Sequence, residues 1–320
     1  MRFLIAGFGS IGRRHLRNLR SLGEEDILLL RSGKSTLPTE ELAGLPVETT
    51  LEAALAHRPD VVIVATPTAL HMPIAIAAAE AGCTIFLEKP IAEDLSRVEE
   101  LRSALQRGGG QVLVGFQFRF HPGLQQVRTW LIEGAIGRPL LANAEWGEYL
   151  PDWHPWEDYR QSYAARAELG GGVARTLCHP LDYLRWLLGE VSWAQVRAAR
   201  LSDLEINVED WAEFALRFEN GARGRVSVNY FQRPAVHRLE IVGTQGSIRW
   251  DNSDGVAHCY SVDHGEWQTF SPPPGFERND LFLAQTRHLL AVARGQETPR
   301  CTLQDGVRAL ELAALVDLQR

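Results

Sequence analysis

Apolar residues fall in short blocks through the first 120 positions, each followed by a longer stretch with helical spacing. Phe3–Ala6, Ile27–Leu30, residues 61–65, Thr84–Leu87 and residues 112–116 read as strands. Residues 61–65, Val-Val-Ile-Val-Ala, are apolar throughout and mostly β-branched, as a strand covered on both faces of a parallel sheet requires. Between these blocks, residues 11–22 bring Ile11, Leu16 and Leu19 onto one helical face. Residues 50–56, 73–81 and 95–106 predict three more helices, the second of them Ala-rich and closed by Gly82. Strand and helix in alternation predict an α/β Rossmann fold with a doubly wound parallel sheet.

The rhythm changes after about residue 120. Pro122–Ile132 is helical, and strands then dominate: residues 140–149, 194–201, Trp211–Phe218, and residues 222–230, 237–243, 247–250 and 256–260. The run 211–218 alternates as a strand with one wet face does, and Asn220-Gly221 between two runs marks a hairpin. One helix is expected over 173–188, and two more over 280–294 and 303–318. The expected organisation is a Rossmann domain at 1–120, then an α+β domain at 121–302 with a large, mainly antiparallel sheet. A C-terminal helix at 303–320 is expected to pack back on the first domain.

Composition narrows the function classes. Hydrophobic residues make up 45% and charged residues 23% of the 320 positions, and the formal charge is −7. That balance argues against a nucleic-acid or anionic-membrane surface, which concentrates positive charge. Cys83, Cys178, Cys259 and Cys301 are widely scattered and form no C-x-x-C pair, so neither a metal knuckle nor a redox motif is indicated. They read as reduced thiols of a cytoplasmic protein. No apolar run approaches a membrane span, and the first residues lack the pattern of a signal peptide. Of the 33 basic residues, only Lys34 and Lys89 are lysines. Arg stays charged in proteins while Lys can titrate, so each lysine invites a chemical reading.

Gly7, Gly9, Ser10, Ile11 and Gly12 form a G-x-G-x-x-G turn directly after the first strand and open a helix. In that position the glycines allow a tight turn, close backbone approach to a pyrophosphate, and close packing of helix on strand. The helix N-terminus offers N–H groups to phosphate. At the end of the second strand an acidic residue would bind the adenosine ribose, whereas a basic one accepts a 2′-phosphate. Here Arg31, Ser32 and Lys34 follow the strand, with no acidic residue before Glu40. They are read as a phosphate cradle that favours NADP(H), with NAD(H) as the alternative.

Glu88-Lys89-Pro90 ends the strand at Thr84–Leu87. Together with Gly7–Gly12, Ala65-Thr66-Pro67 through His71, Gly115 through Pro122, Glu133-Gly134 through Pro139, and Gly170-Gly171-Gly172 leading to His179 and Asp182, it resembles the Gfo/Idh/MocA oxidoreductases. Glucose–fructose oxidoreductase and inositol dehydrogenase belong to that family, and the likeness runs nearly the whole chain. The resemblance implies hydride transfer between a nicotinamide and a secondary alcohol or ketone of a sugar, sugar acid, nucleotide sugar or cyclitol. It places Thr66, Pro67, His71, Glu88, Lys89 and Gln117 at the cofactor and makes Lys89 the proton relay. The chemistry agrees: a hydride leaves a carbinol carbon only as the hydroxyl proton is lost, and an amine can take that proton where Arg cannot. The resemblance also implies a cis peptide at Pro90, and subunits paired as a homodimer or homotetramer through the second-domain sheet.

The family's Asp-x-x-x-His pattern is incomplete here. His179 matches the histidine and is expected to assist acid–base chemistry, but Arg175 stands four residues before it and Thr176 three before. Asp182 would share its helix face and orient the ring. Residues 149–163, carrying Trp153, Tyr159, Arg160 and Tyr163, resemble the substrate loop of the nucleotide-sugar and surface-polysaccharide branch. Arg119, Arg160 and Arg175 are expected to converge on an anionic group, which points to an acidic or phosphorylated sugar. Two alternatives stand beside this reading: a non-catalytic NAD(P)-binding sensor of the same fold, and a reductase of a non-sugar substrate.

Overall fold

The computed structural model describes residues 1–33, 42 and 44–319. The chain forms two compact units. The first holds Met1–Phe116, Glu168–Gly170 and Arg278–Leu310; the second holds Gln117–Ala167, Gly171–Glu277 and Glu311–Arg320.

In the first unit the chain runs through β1 (Phe3–Ala6), α1 (Ser10–Ser21), β2 (Ile27–Leu30), β3 (Val47–Glu48), α2 (Leu51–Ala56) and β4 (Val61–Val64). It continues with α3 (His71–Glu80), β5 (Thr84–Leu87), α4 (Val98–Gly108) and β6 (Val112–Val114). The six strands pair in parallel in the order β3-β2-β1-β4-β5-β6. β1 and β4 are buried along their whole length, which is why their sequences are unbroken apolar runs. From β1 the chain winds outward to β2 and β3, then returns to lay β4, β5 and β6 on the other side. The connections therefore part at the C-terminal ends of β1 and β4, where this fold binds its ligands.

The second unit opens with a 3₁₀ turn, Gln117–Phe120, then α5 (Pro122–Ile132), β7 (Pro139–Tyr149), α6 (Val173–Thr176), α7 (His179–Leu188) and β8 (Val191–Ala199). Six more strands follow: β9 (Trp211–Phe218), β10 (Arg223–Asn229), β11 (Phe231–Gly243), β12 (Gly246–Asp251), β13 (Ala257–Ser261) and β14 (Trp267–Phe270). Their order is β14-β13-β12-β11-β7-β10-β9-β8, antiparallel except where β7 and β10 run parallel. One face buries Ala212, Phe214, Leu216, Val226, Val228, Ala142 and Ala144, with α5, α6 and α7 against the sheet. The other face carries cross-strand ion pairs, including Arg225–Glu213, Arg249–Glu240 and Arg238–Asp251 at 2.6–3.0 Å.

The first unit is completed by α8 (Arg278–Ala293), which lies along α1, and by the start of α9 (Leu303–Ala313). Arg14 of α1 stacks over the Phe282 ring at 4.3 Å. Residues 278–310 count with the first unit and residues 311–320 with the second. The single helix expected at 173–188 is two helices. Pro180 sits in the first turn of α7, where its missing N–H costs nothing, so His179 begins a helix instead of continuing one. The edge strands β3 and β14 were invisible in the pattern because they are short and largely exposed, and so carry little apolar periodicity.

Candidate active site

All strands of the first sheet end along one edge, so the residues following β1, β2, β4 and β5 form a row there. Gly7 has φ +95°, and a Cβ on it would stand 2.6 Å from the Ala65 carbonyl oxygen. On Gly12 a Cβ would stand 2.2 Å from the Gly7 carbonyl oxygen. These two positions close the turn and seat α1 against it. Gly9 differs: nothing lies within 4 Å of its Cβ position. It is the N-cap of α1, no side chain caps that end, and the first turn carries no acidic group. The N–H groups of Ser10, Ile11 and Gly12 thus face outward around a bare backbone, an arrangement that fits a dinucleotide pyrophosphate.

At the end of β2, Arg31 is half-buried and Ser32 is exposed. The Arg31 Nε is shielded from solvent and has no hydrogen-bond partner among the described residues. A guanidinium in that state fits an incoming phosphate. Lys34 lies outside the described residues. After β4, the Thr66 hydroxyl is likewise buried without a partner among the described residues.

Lys89 is half-buried at the end of β5, and the Lys89–Pro90 peptide is cis. Its neighbours are not arranged as the sequence suggested. Glu88 is buried, and its Oε1 accepts a 2.8 Å hydrogen bond from His15 Nε2 of α1. Its Oε2 accepts the Lys89 backbone N–H at 3.3 Å. Expected at the cofactor, the Glu88 carboxylate is instead committed to α1. Gly115 makes this seat possible, because a Cβ there would lie 2.9 Å from Glu88 Oε2. His71, also expected at the cofactor, is 1% exposed. Its Nδ1 lies 2.9 Å from the Pro90 carbonyl oxygen and its Nε2 2.9 Å from the Thr66 carbonyl oxygen. Burial lowers the His71 pKa, opposed by the Thr66 carbonyl and the Glu88 carboxylate.

In the second unit, Gln117 and Arg119 are buried in the Gln117–Phe120 turn. Arg119 grips Asp182 of α7 with two hydrogen bonds, Nε to Oδ2 at 3.0 Å and Nη2 to Oδ1 at 2.6 Å. Asp182 therefore anchors Arg119. His179 is 1% exposed, its ring edge-on to Phe118 at 4.9 Å and tilted against Trp146 at 5.4 Å. Phe118 also meets His121, His237 and Trp250, making an aromatic cluster with three imidazoles.

Each of the three arginines expected to share an anion pairs with a carboxylate of the chain itself. Arg175 pairs with Asp317, Arg119 with Asp182, and Arg160 with Asp158 at 2.8 Å and Glu205 at 3.3 Å. Asp158 stands two residues before Arg160, whereas Asp182 and Asp317 lie 63 and 142 positions from their arginines, beyond what sequence spacing reveals. Tyr159 is also tied down, its hydroxyl accepting the Glu205 N–H at 3.2 Å. Trp153 packs edge-on to Tyr230 at 5.6 Å. Tyr163 is half-buried, and Thr176 is buried on α6. Glu209, missed in the sequence, accepts the Ala174 N–H at the start of α6 and occupies the space a Gly172 Cβ would need.

His15 was missed too, although a signal existed: it lies on the apolar stripe of α1 beside Leu16 and Leu19, where a polar residue needs a partner. Among the described residues, no group of His, Cys, Asp and Glu side chains is arranged to hold a metal ion.

A Rossmann sheet with this glycine turn and a strand-end amine defines a dinucleotide-dependent oxidoreductase class. The profile described as "Oxidoreductase family, NAD-binding Rossmann fold" matches residues 1–116, and that of the GFO/IDH/MocA C-terminal domain matches residues 124–249. The uncharacterized oxidoreductase YrbE of Bacillus subtilis is 30% identical, with 97% of this chain and 91% of that protein covered. Myo-inositol dehydrogenase Hyg17 of Streptomyces leeuwenhoekii is 26% identical, with 92% and 89% covered. Among solved structures, the WlbA dehydrogenase of Bordetella pertussis, in complex with NADH and UDP-GlcNAcA, superposes with a TM-score of 0.82. It is 24% identical, with 99% of this chain and 95% of that one covered. The chain belongs to the GFO/IDH/MocA family of NAD-binding oxidoreductases.

Proposed function

We propose that the protein is an NADP(H)-preferring dehydrogenase acting on a secondary alcohol or ketone of an uncharged sugar or cyclitol. The observation that carries this reading is Lys89, a primary amine at the end of β5, in the same row of strand ends as the glycine turn. The N–H groups of Ser10, Ile11 and Gly12 would hold the pyrophosphate, and Arg31 and Ser32 a ribose 2′-phosphate. Thr66 and Pro67 are assigned to the cofactor as well. The bound nicotinamide supplies hydride exchange with the carbinol carbon. Lys89 Nζ takes the hydroxyl proton in oxidation and returns it in reduction.

The preference for an uncharged substrate is supported by the pairing of Arg119, Arg160 and Arg175 with internal carboxylates, which balances the charge that the anion reading assigned to them. The inositol dehydrogenase relative supports a polyol. Four buried cysteines without disulfides support a cytoplasmic setting, and no helix of the described residues is long and apolar enough to cross a membrane. The ion-paired open face of the eight-stranded sheet is the surface expected to pair subunits.

Fluorescence titration with NADPH and NADH tests the cofactor preference: NADPH is expected to bind at least about tenfold tighter, and tighter NADH binding sinks the role given to Arg31. A panel of inositols, neutral sugars and sugar acids tests the reaction. Lys89→Met should lower turnover by about 10²–10⁴-fold, and unchanged turnover removes Lys89 from the chemistry.

A further inference from the structure

The tripeptide Glu88-Lys89-Pro90 is gripped on both sides of the lysine by buried imidazoles from two different helices. On one side His15 of α1 holds the Glu88 carboxylate at 2.8 Å. The same carboxylate turns back to the Lys89 N–H and is pressed against Gly115. On the other side His71, the first residue of α3, stands between the Pro90 and Thr66 carbonyls, 2.9 Å from each, and its neutral ring donates to one of them according to its tautomer. Both rings are at most 2% exposed. His15 is fixed further by an edge-on contact with Phe86 of β5 at 4.8 Å. Placing two polar rings in the core between helices and sheet is costly unless each is used. Here both are spent on the residues flanking Lys89.

We propose that His15 and His71 are positioning residues that jointly set where the Lys89 amine stands and the charge it experiences. They act through the Glu88 side chain and the Pro90 carbonyl and touch neither substrate nor cofactor. Each grip fixes one neighbour of Lys89, so losing either lets the lysine shift relative to the strand end and to the Glu88 carboxylate, the charge next to it in sequence. The idea rests on the proton-relay reading of Lys89, but its test does not need turnover.

The chain has only two lysines, Lys34 and Lys89. Reductive ¹³C-methylation therefore gives two side-chain signals besides the N-terminus, and Lys34→Arg assigns them. In the substrate-free protein, His15→Gln and His71→Gln, which keep a donor, are each expected to move the Lys89 titration midpoint by about 1 pH unit. Lys34 should stay in place. A Lys89 midpoint that stays within about 0.2 unit of wild type in both variants overturns the proposal, whatever turnover does.

Where wild type oxidises a polyol, each variant should lose kcat by about tenfold or more while the KM for the cofactor stays within about twofold. In a Lys89→Met background the same substitutions should change residual turnover by less than about twofold, because a positioning residue acts through the group it positions. If wild type turns over nothing in the panel, the dehydrogenase reading fails and the lysine titration still decides the clamp.

Discussion

The imidazole of His237 gives the sharpest stability prediction. It lies on β11, stacked on Trp146 with ring centroids 4.3 Å apart and 1° between planes, and edge-on to Phe118 at 4.7 Å and Trp250 at 5.0 Å. Neither ring nitrogen has a hydrogen-bond partner among the described residues. Burial pushes its pKa down to about 3, with His121 adding to the shift and Asp251 opposing it. A histidine held neutral in the folded state but titrating near 6.5 when unfolded gives full stability above pH 6.5 and loses it as pH falls toward 3. At pH 5 the unfolded chain has gained about 1.5 pH units of protonation energy that the folded chain has not, or about 2 kcal/mol.

His237→Phe keeps the aromatic stack, removes two unsatisfied nitrogens and adds a little volume. Its stability at pH 7.5 should lie within about 1 kcal/mol of wild type. Between pH 7.5 and pH 5, however, it should gain about 2 kcal/mol relative to wild type. All nine tryptophans fall in the second unit, so urea unfolding followed by tryptophan fluorescence reports the unit that holds His237. Parallel stability-against-pH curves for the two proteins would refute the argument. His121, pushed down to about 4 by burial, should leave the variant with the remaining acid sensitivity.

Asp182→Asn keeps the side-chain shape but strips the carboxylate from a guanidinium that is 5% exposed. It should cost about 3 kcal/mol or more in urea unfolding, and a loss under 1 kcal/mol would mean that Arg119 finds water or another partner easily. Gly12→Ala puts a methyl 2.2 Å from the Gly7 carbonyl oxygen. It should lower stability by about 2 kcal/mol and weaken dinucleotide binding in a calorimetric titration, whereas Gly9→Ala, whose Cβ meets nothing within 4 Å, should weaken binding with little loss of stability. Arg31→Asp should invert the cofactor preference in the fluorescence titration; a variant that still prefers NADPH would show that the preference comes from elsewhere.

Much of the fold was legible because its signals are local. The apolar blocks of β1 and β4, the glycine turn and the Asn220-Gly221 hairpin each state their geometry within a few residues. The candidate site is read from places where chemistry and spacing coincide, as at Gly7–Gly12 and Lys89. Its support was not legible in that way. His15 meets Glu88 across 73 positions and Arg175 meets Asp317 across 142, and no periodicity encodes such pairs. The anion site expected from three arginines was read from residue type alone, without the carboxylates that the fold brings to each. The break after Thr176 had a visible cause in Pro180, whose missing N–H suits the first turn of a helix.

The last part of the chain has a consequence for how the protein is made. The Val114 N–H at the end of β6 is taken up by the Cys301 carbonyl at 2.9 Å, so a sheet edge laid down early is completed by a residue near the end. In the second unit, Asp317 likewise pairs with the buried Arg175. A ribosome delivers these segments after the elements they complete. A nascent chain stalled before residue 278 would therefore present the β6 edge without the Cys301 carbonyl and Arg175 without the Asp317 carboxylate.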